Sequence, residues 1–182
     1  MRWKVSSSAY AFVSRWLKVR KDKVILPSGV EIDDFYVVEL ADWVNVVAVT
    51  EEGEIVIEEQ YRHGIGKVCK ELPAGMVEER ENPEEAARRE LREETGYVGG
   101  VWVPYGECCP NASGMNNKCY SFLARGVRRV GNPELESSED IRVHTYKIEE
   151  VKRLIENGSI CESVMLVPLW RYFHEMETRK LK

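Results

Sequence analysis

Residues 71–97, ELPAGMVEERENPEEAARRELREETGY, constrain this chain more than any other stretch. Asn82 suits a helix N-cap, Pro83 the first helical position, and Glu84 and Glu85 the positive end of the helix dipole. The residues that follow, through Glu94, are strong helix formers, and Gly96 stands where a left-handed C′ residue stops a helix. A helix is therefore expected over about 83–95, entered from a glycine turn at Gly75. Ala86, Ala87 and Leu91 give it a narrow apolar stripe. Glu90, Glu93 and Glu94 fall at i, i+3 and i+4, on one face, where each close like-charge pair costs roughly 0.2–0.5 kcal/mol. A hard divalent cation, Mg²⁺ or Mn²⁺, relieves that repulsion, because such ions take carboxylate oxygens. Spacing alone leaves a second reading open: a solvated charged face with Glu/Arg pairs, such as Arg89 with Glu93.

The chain ahead of this helix reads as strands. Segments 16–25, 31–40, 43–50 and 55–61 are rich in β-branched and aromatic residues, with turns at 27–29 and 51–54. Together they are expected to form a β-meander, with residues 1–14 as a flexible arm or a first strand. A glycine-containing loop at 63–66 leads to a short segment at 68–72. Beyond the helix, 98–109 and 118–129 read as strands around a turn-rich loop at 110–114. An acidic loop, 131–140, precedes a strand at 141–147 and a helix at 148–157 stopped by Gly158. A last helix is expected at 162–178, kinked or split by Pro168. This order describes an α+β domain, and 182 residues suffice for one with a sizeable core and an added element.

The net charge of −5 argues against bulk electrostatic binding to a nucleic acid polymer, yet leaves a nucleotide substrate open. The five cysteines are odd in number and show no C-x-x-C or Cys/His metal spacing, which fits a reducing, cytoplasmic location. Adjacent Cys108 and Cys109 are read as small buried thiols, with redox activity as the alternative. The N-terminus lacks the apolar core of a signal peptide, and no run approaches the ~20 apolar residues of a membrane span.

From Gly75 the chain follows G-x5-E-x7-R-E-U-x-E-E-x-G-U, where U is a large apolar residue. The matching positions are Gly75, Glu81, Arg89, Glu90, Leu91, Glu93, Glu94, Gly96 and Tyr97, the last a tyrosine where an aliphatic is usual. This resembles the Nudix box. Glu71-Leu72-Pro73-Ala74-Gly75 and Glu59-Gln60-Tyr61-Arg62 resemble the ADP-ribose pyrophosphatase branch, and the likeness covers most of residues 16–175. It implies a Nudix-type α/β/α sandwich around a mixed sheet with an N-terminal β-meander. It also implies Mg²⁺- or Mn²⁺-dependent hydrolysis of a nucleoside diphosphate linked to a sugar, with ADP-ribose, giving AMP and ribose 5-phosphate, as first choice. Alternatives are another nucleotide sugar such as GDP-mannose, or a non-catalytic nucleotide-binding module. The intact Glu90, Glu93 and Glu94 argue against the module.

By the same resemblance Glu90 and Glu94 are direct metal ligands and Glu93 a further or water-mediated one, joined by the backbone carbonyl of Ala74. Glu81 and Arg89 organise loop and helix by ion pairing. Water must attack a phosphorus ringed by negative oxygens, so metal ions neutralise charge and acidify the water, and a separate carboxylate takes the proton. In this branch that base comes from the loop after the box. Glu139 fits best there, ahead of Glu134, Glu136 and Asp140, with a solvated acidic turn as the alternative. Arg62 is a candidate for a substrate phosphate or the terminal ribose, or else is a strand-end arginine paired with a glutamate of the box. Glu71 accepts a hydrogen bond from base or ribose, or pairs with Arg62. His63 is read as structural or at the pocket rim; His144 and His174 have no partner pattern suggesting catalysis. The branch commonly has a proline where this chain has Ala112, with Pro110 two residues earlier, which opens the pocket to other nucleotide sugars. Residues 1–40 are expected to be a dimerisation element, 41–182 the hydrolase domain, and the protein a homodimer with no nucleic acid polymer or membrane as partner.

Overall fold

A computed structural model describes residues 1–180, which fall into two compact units. The first contains residues 1–42 and 109–118, and the second the remainder of the chain.

In the first unit β1 (Lys4–Val13), β2 (Lys18–Ile25) and β3 (Glu31–Glu39) form an antiparallel sheet in that order. The first residues are thus a strand, not an arm, although every side chain of β1 is exposed. Asp22 is buried within this sheet, accepting from Ser8 Oγ at 2.5 Å and from Arg20 Nε at 3.0 Å. The 109–118 loop joins β3 through Val38 N–H donating to Gly114 O at 2.8 Å and Asn116 N–H donating to Val38 O at 3.3 Å. Ala112 lies in that loop.

The expected meander ends at β3. The next strand, β4 (Trp43–Thr50), belongs to the sheet of the second unit. Its composition explains why: from Val44 to Thr50 every residue is buried, so it fits only the middle of a sheet covered on both faces. It pairs in parallel with β9 (Cys119–Arg129), which pairs antiparallel with β8 (Tyr97–Cys108). On its other side β4 meets β5 (Ile55–Arg62) at the hairpin, and β5 pairs with β10 (Arg142–Tyr146). Beyond the hairpin β4 and β5 diverge. β6 (Lys67–Glu71) then pairs with β5, and the short β7 (Ala74–Met76) with β4.

Helices cover both faces. Helix α1 (Pro83–Thr95) buries Ala86, Ala87 and Leu91 among Val44, Val46, Ala48, Val56, Phe122 and Ala124. On the opposite face, Val47, Val49, Ile55, Ile57 and Leu123 meet Val151 of α2 (Ile148–Glu156) and Val164, Met165, Leu169 and Phe173 of α3 (Ser163–Lys180). The result is the expected α/β/α sandwich on a mixed sheet.

Pro168 does not split α3, which runs through it. A proline there leaves the Val164 carbonyl without its helical donor. Asn45, wholly buried on β4, supplies one: its Nδ2 donates to Val164 O at 2.8 Å and also approaches Cys119 Sγ at 3.3 Å.

Candidate active site

The site forms where β4 and β5 part and α1 begins to cover the gap. Helix α1 starts with a capping box: Glu85 N–H donates to Asn82 Oδ1 at 3.0 Å and Asn82 N–H to Glu85 Oε2 at 3.3 Å. It ends at Gly96, in the left-handed region at φ 74°. Fixed at both ends, the helix presents Glu90, Glu93 and Glu94 toward β7.

Gly75 is not a turn residue. It sits in β7 opposite Val44. Its lack of a side chain matters for another reason, since a Cβ there would lie 2.0 Å from Glu90 Cδ and Oε1. Glu94 is 4% exposed, and its Oε2 accepts from Ala74 N–H at 3.0 Å. Burial, then the neighbouring Glu90 carboxylate, pushes its pKa up to about 8. Burial also raises Glu90, against the pull of Arg89, with Glu93 and Glu139 adding to the rise.

Arg89 ties this face together. Its Nε donates to Glu81 Oε1 at 2.9 Å and its Nη2 to Glu81 Oε2 at 3.0 Å and Met76 O at 3.1 Å. Its Nη1 donates to Glu90 at 2.8 Å and Glu93 at 3.3 Å. Glu81 is held below the usual carboxylate range by that guanidinium. Arg92 Nη2 secures the other oxygen of Glu93 at 2.8 Å.

One cavity of about 370 Å³ gathers Arg62, Ala74, Arg89, Glu90, Glu93 and Glu94, with Glu134, Glu136 and Glu139 of the acidic loop. The acidic loop is brought there partly by Glu134 N–H donating to Glu93 O at 2.7 Å. Glu139 Oε2 accepts from Glu136 N–H at 2.8 Å, which sets the carboxylate on its own turn. Asp140 is exposed and does not line this cavity.

Glu71 lies just outside that space, 1% exposed, and lines an adjoining cavity of about 550 Å³ with Arg62, His63, Glu162 and Trp43. Arg62 lines both cavities and is bound by Glu71, its Nε donating to Oε1 at 2.9 Å and its Nη2 to Oε2 at 2.5 Å. The partner of Arg62 is thus the strand residue Glu71 and not a helix glutamate.

Glu58 was not anticipated. It is wholly buried on β5, its carboxyl oxygens without a hydrogen-bond partner among the described residues. Burial first, then Glu94 and Glu71, raise its pKa well above the usual range. Two carboxyls so close disfavour each other's charged form. The signal was present in IVIEEQYR: strand alternation puts Glu58 on the face of Val56, which packs under α1.

Among the described residues no three His, Cys, Asp or Glu side chains are gathered as a bound metal ion would gather them. The donor set nevertheless fits a hard cation. It is all oxygen, its carboxyls are held at raised pKa by burial and mutual repulsion, and a glycine clears the space that Glu90 occupies.

A fold and a carboxylate-lined site of this kind define a phosphate-handling hydrolase, and comparison with known proteins agrees. Residues 40–161 match the NUDIX domain, and the chain belongs to the Nudix family. Residues 3–38 match the nucleoside diphosphate sugar hydrolase N-terminal domain. The chain is 35% identical to an ADP-ribose pyrophosphatase of Mycobacterium tuberculosis over 81% of its length and 72% of that protein's. It is 40% identical to a methanol dehydrogenase activator of Bacillus methanolicus over 94% of its length and 92% of that protein's. A crystal structure of an ADP compounds hydrolase superposes with a TM-score of 0.84 at 16% identity, covering 98% of this chain and 96% of that one, which shows the shared fold.

Proposed function

We propose that this Nudix hydrolase splits the diphosphate of a nucleoside diphosphate sugar, converting ADP-ribose to AMP and ribose 5-phosphate. The observation that carries this reading is the single cavity in which Glu90, Glu93, Glu94 and Glu139 stand beside Arg62. A divalent cation, Mg²⁺ or Mn²⁺, supplies charge neutralisation of the diphosphate and acidifies the attacking water. Glu90 and Glu94 would hold it, aided by Glu93 and the Ala74 carbonyl, while Arg89 keeps Glu81, Glu90 and Glu93 in place. Glu139 takes the proton from the water as its oxygen bonds to phosphorus and the bridging P–O bond breaks. Arg62, oriented by Glu71, pairs with a phosphate or ribose oxygen of the substrate.

The test is a panel of nucleotide sugars, GDP-mannose included, offered with and without Mg²⁺ while release of nucleoside monophosphate is followed. Metal-dependent turnover fastest on ADP-ribose is expected; no turnover of any member would overturn the reading. Glu139→Gln should lower kcat by about 10²–10⁴-fold with KM little changed. An unchanged rate places the base elsewhere.

The relative named as a methanol dehydrogenase activator favours a second reading, in which the chain acts on a partner enzyme. Raised turnover of a methanol dehydrogenase on adding this protein would support it.

We further propose a homodimer formed through residues 1–40, supported by the exposed apolar side chains Val5, Tyr10, Phe12 and Val13 on β1. A cytoplasmic location is supported by five unbridged cysteines. No helix among the described residues is long and apolar enough to cross a membrane.

A further inference from the structure

The hydrolytic reading leaves one pair of reactive side chains unused. Cys69 of β6 and Cys161, just before α3, bring their sulfurs to 3.8 Å, within S–H···S reach and without a disulfide. Both line the 550 Å³ cavity beside Arg62 and Glu71. Backbone geometry presets the approach. Lys70 N–H donates to Ser159 O at 2.9 Å and Lys67 Nζ to Gly158 O at 2.7 Å, so the chain leading to Cys161 is fastened to β6. Ile160, buried at 1% exposure, anchors the residue immediately before Cys161. Cys161 is exposed and Cys69 buried, so an oxidant reaches one thiol and the second waits behind it.

We propose that Cys69 and Cys161 form a reversible dithiol–disulfide switch on the wall of the Arg62 cavity, closed by hydrogen peroxide and opened by a dithiol reductant. The Cys161 sulfur gives up its proton and attacks the peroxide, the O–O bond breaks, and Cys161 becomes a sulfenic acid as the leaving oxygen takes that proton and departs as water. The Cys69 sulfur then attacks the Cys161 sulfur, the S–O bond breaks, and the second water departs with the Cys69 proton. Two thiols and one peroxide thus give one disulfide and two waters. A disulfide needs about 2.05 Å between sulfurs, so closure draws them together by a little under 2 Å. That movement shifts Glu162, the neighbour of Cys161, relative to Arg62, whose charge it already feels. Cys69 also lies two residues from Glu71, the anchor of Arg62. The cost therefore falls on substrate binding more than on the chemical step, a consequence that rests on the proposed hydrolytic function.

A rival pair is present, since Cys108 and Cys119 face each other across β8 and β9. That pair lacks an exposed thiol, since Cys119 is buried and Cys108 half-buried, whereas Cys161 is open to an oxidant. The experiment treats the full-length reduced protein with hydrogen peroxide and reads the product by intact mass and non-reducing peptide mapping, with metal-dependent kinetics in parallel. Loss of two hydrogens mapping to a Cys69–Cys161 bridge is expected, with KM raised about tenfold, kcat within about twofold, and full reversal by dithiothreitol. In Cys161→Ser the KM ratio of treated to untreated protein should fall to one. A bridge at Cys108–Cys119 instead, or sulfinic acid on Cys161, overturns the proposal; so does a Cys69–Cys161 bridge that leaves KM unchanged. Mapping reads the bridge without turnover, so an inactive reduced protein would refute the hydrolase reading while the mapping still decides the bridge.

Discussion

Glu94 carries its proton because burial and Glu90 make its charged form costly, with a pKa near 8 against about 4.5 in an unfolded chain. A folded-state value above the unfolded one stabilises fully below about pH 4.5, and the contribution is lost as pH rises through about 8. Without a divalent cation the melting temperature should therefore fall from pH 5 to pH 8.5. Millimolar Mg²⁺ should raise it more at pH 8.5 than at pH 6, because cation and proton compete for one carboxyl. Thermal melts followed by circular dichroism read both; a Mg²⁺ effect independent of pH would count against Glu94 as a ligand. Gly75→Ala tests the neighbouring position. Its Cβ would fall on the Glu90 carboxyl, so Mg²⁺ affinity should drop at least about tenfold while the fold persists. At this scale helical spacing put Glu90, Glu93 and Glu94 on one face, and all three line one cavity. Strand alternation marked the face on which Glu58 lies but not its meeting with Glu94, which comes only as β5 passes under α1, and Gly75 was misread because a close approach from another element leaves no local mark.

Elements with local signals were legible. The Asn82 cap, Pro83 and Gly96 bounded α1 correctly, because each acts on backbone within a few residues of itself. Helix α3 was harder, since whether Pro168 breaks it depends on a donor far away in the chain. Asn45→Ala should destabilise the protein by about 1–3 kcal/mol, the range for a buried acceptor left unpaired. In a Pro168→Ala background the loss should be smaller, because the new N–H can serve Val164 O within the helix. Urea denaturation of the four variants of this double-mutant cycle measures the coupling. Equal losses in the two backgrounds would show that the amide is held for another reason. The meander was over-extended because β4 has the β-branched composition of any strand. What sets it apart is burial on both faces, which only the α/β/α layering supplies.

The whole molecule divides into a three-stranded sheet and a Nudix sandwich, and the two family matches meet between residues 38 and 40, close to the end of the first compact stretch at Asp42. Resemblance alone set the expectation of a boundary at 40–41, and sequence did not foresee that 109–118 groups with the first unit, which depends on backbone pairing at Val38. Under the dimer proposal, deleting residues 1–16 should convert the protein to a monomer in size-exclusion chromatography with light scattering. An unchanged dimer would assign the interface elsewhere.

The bond from Asn45 to Val164 also has a historical reading. While Pro168 is present, exchanging Asn45 strands the buried Val164 carbonyl, whereas exchanging Pro168 first gives that carbonyl a helical N–H. The two positions, 123 apart in the sequence, should be inherited together. In lineages of this family where the proline has gone, position 45 should be free to drift toward valine, and the order in which the two changes fixed should run proline first.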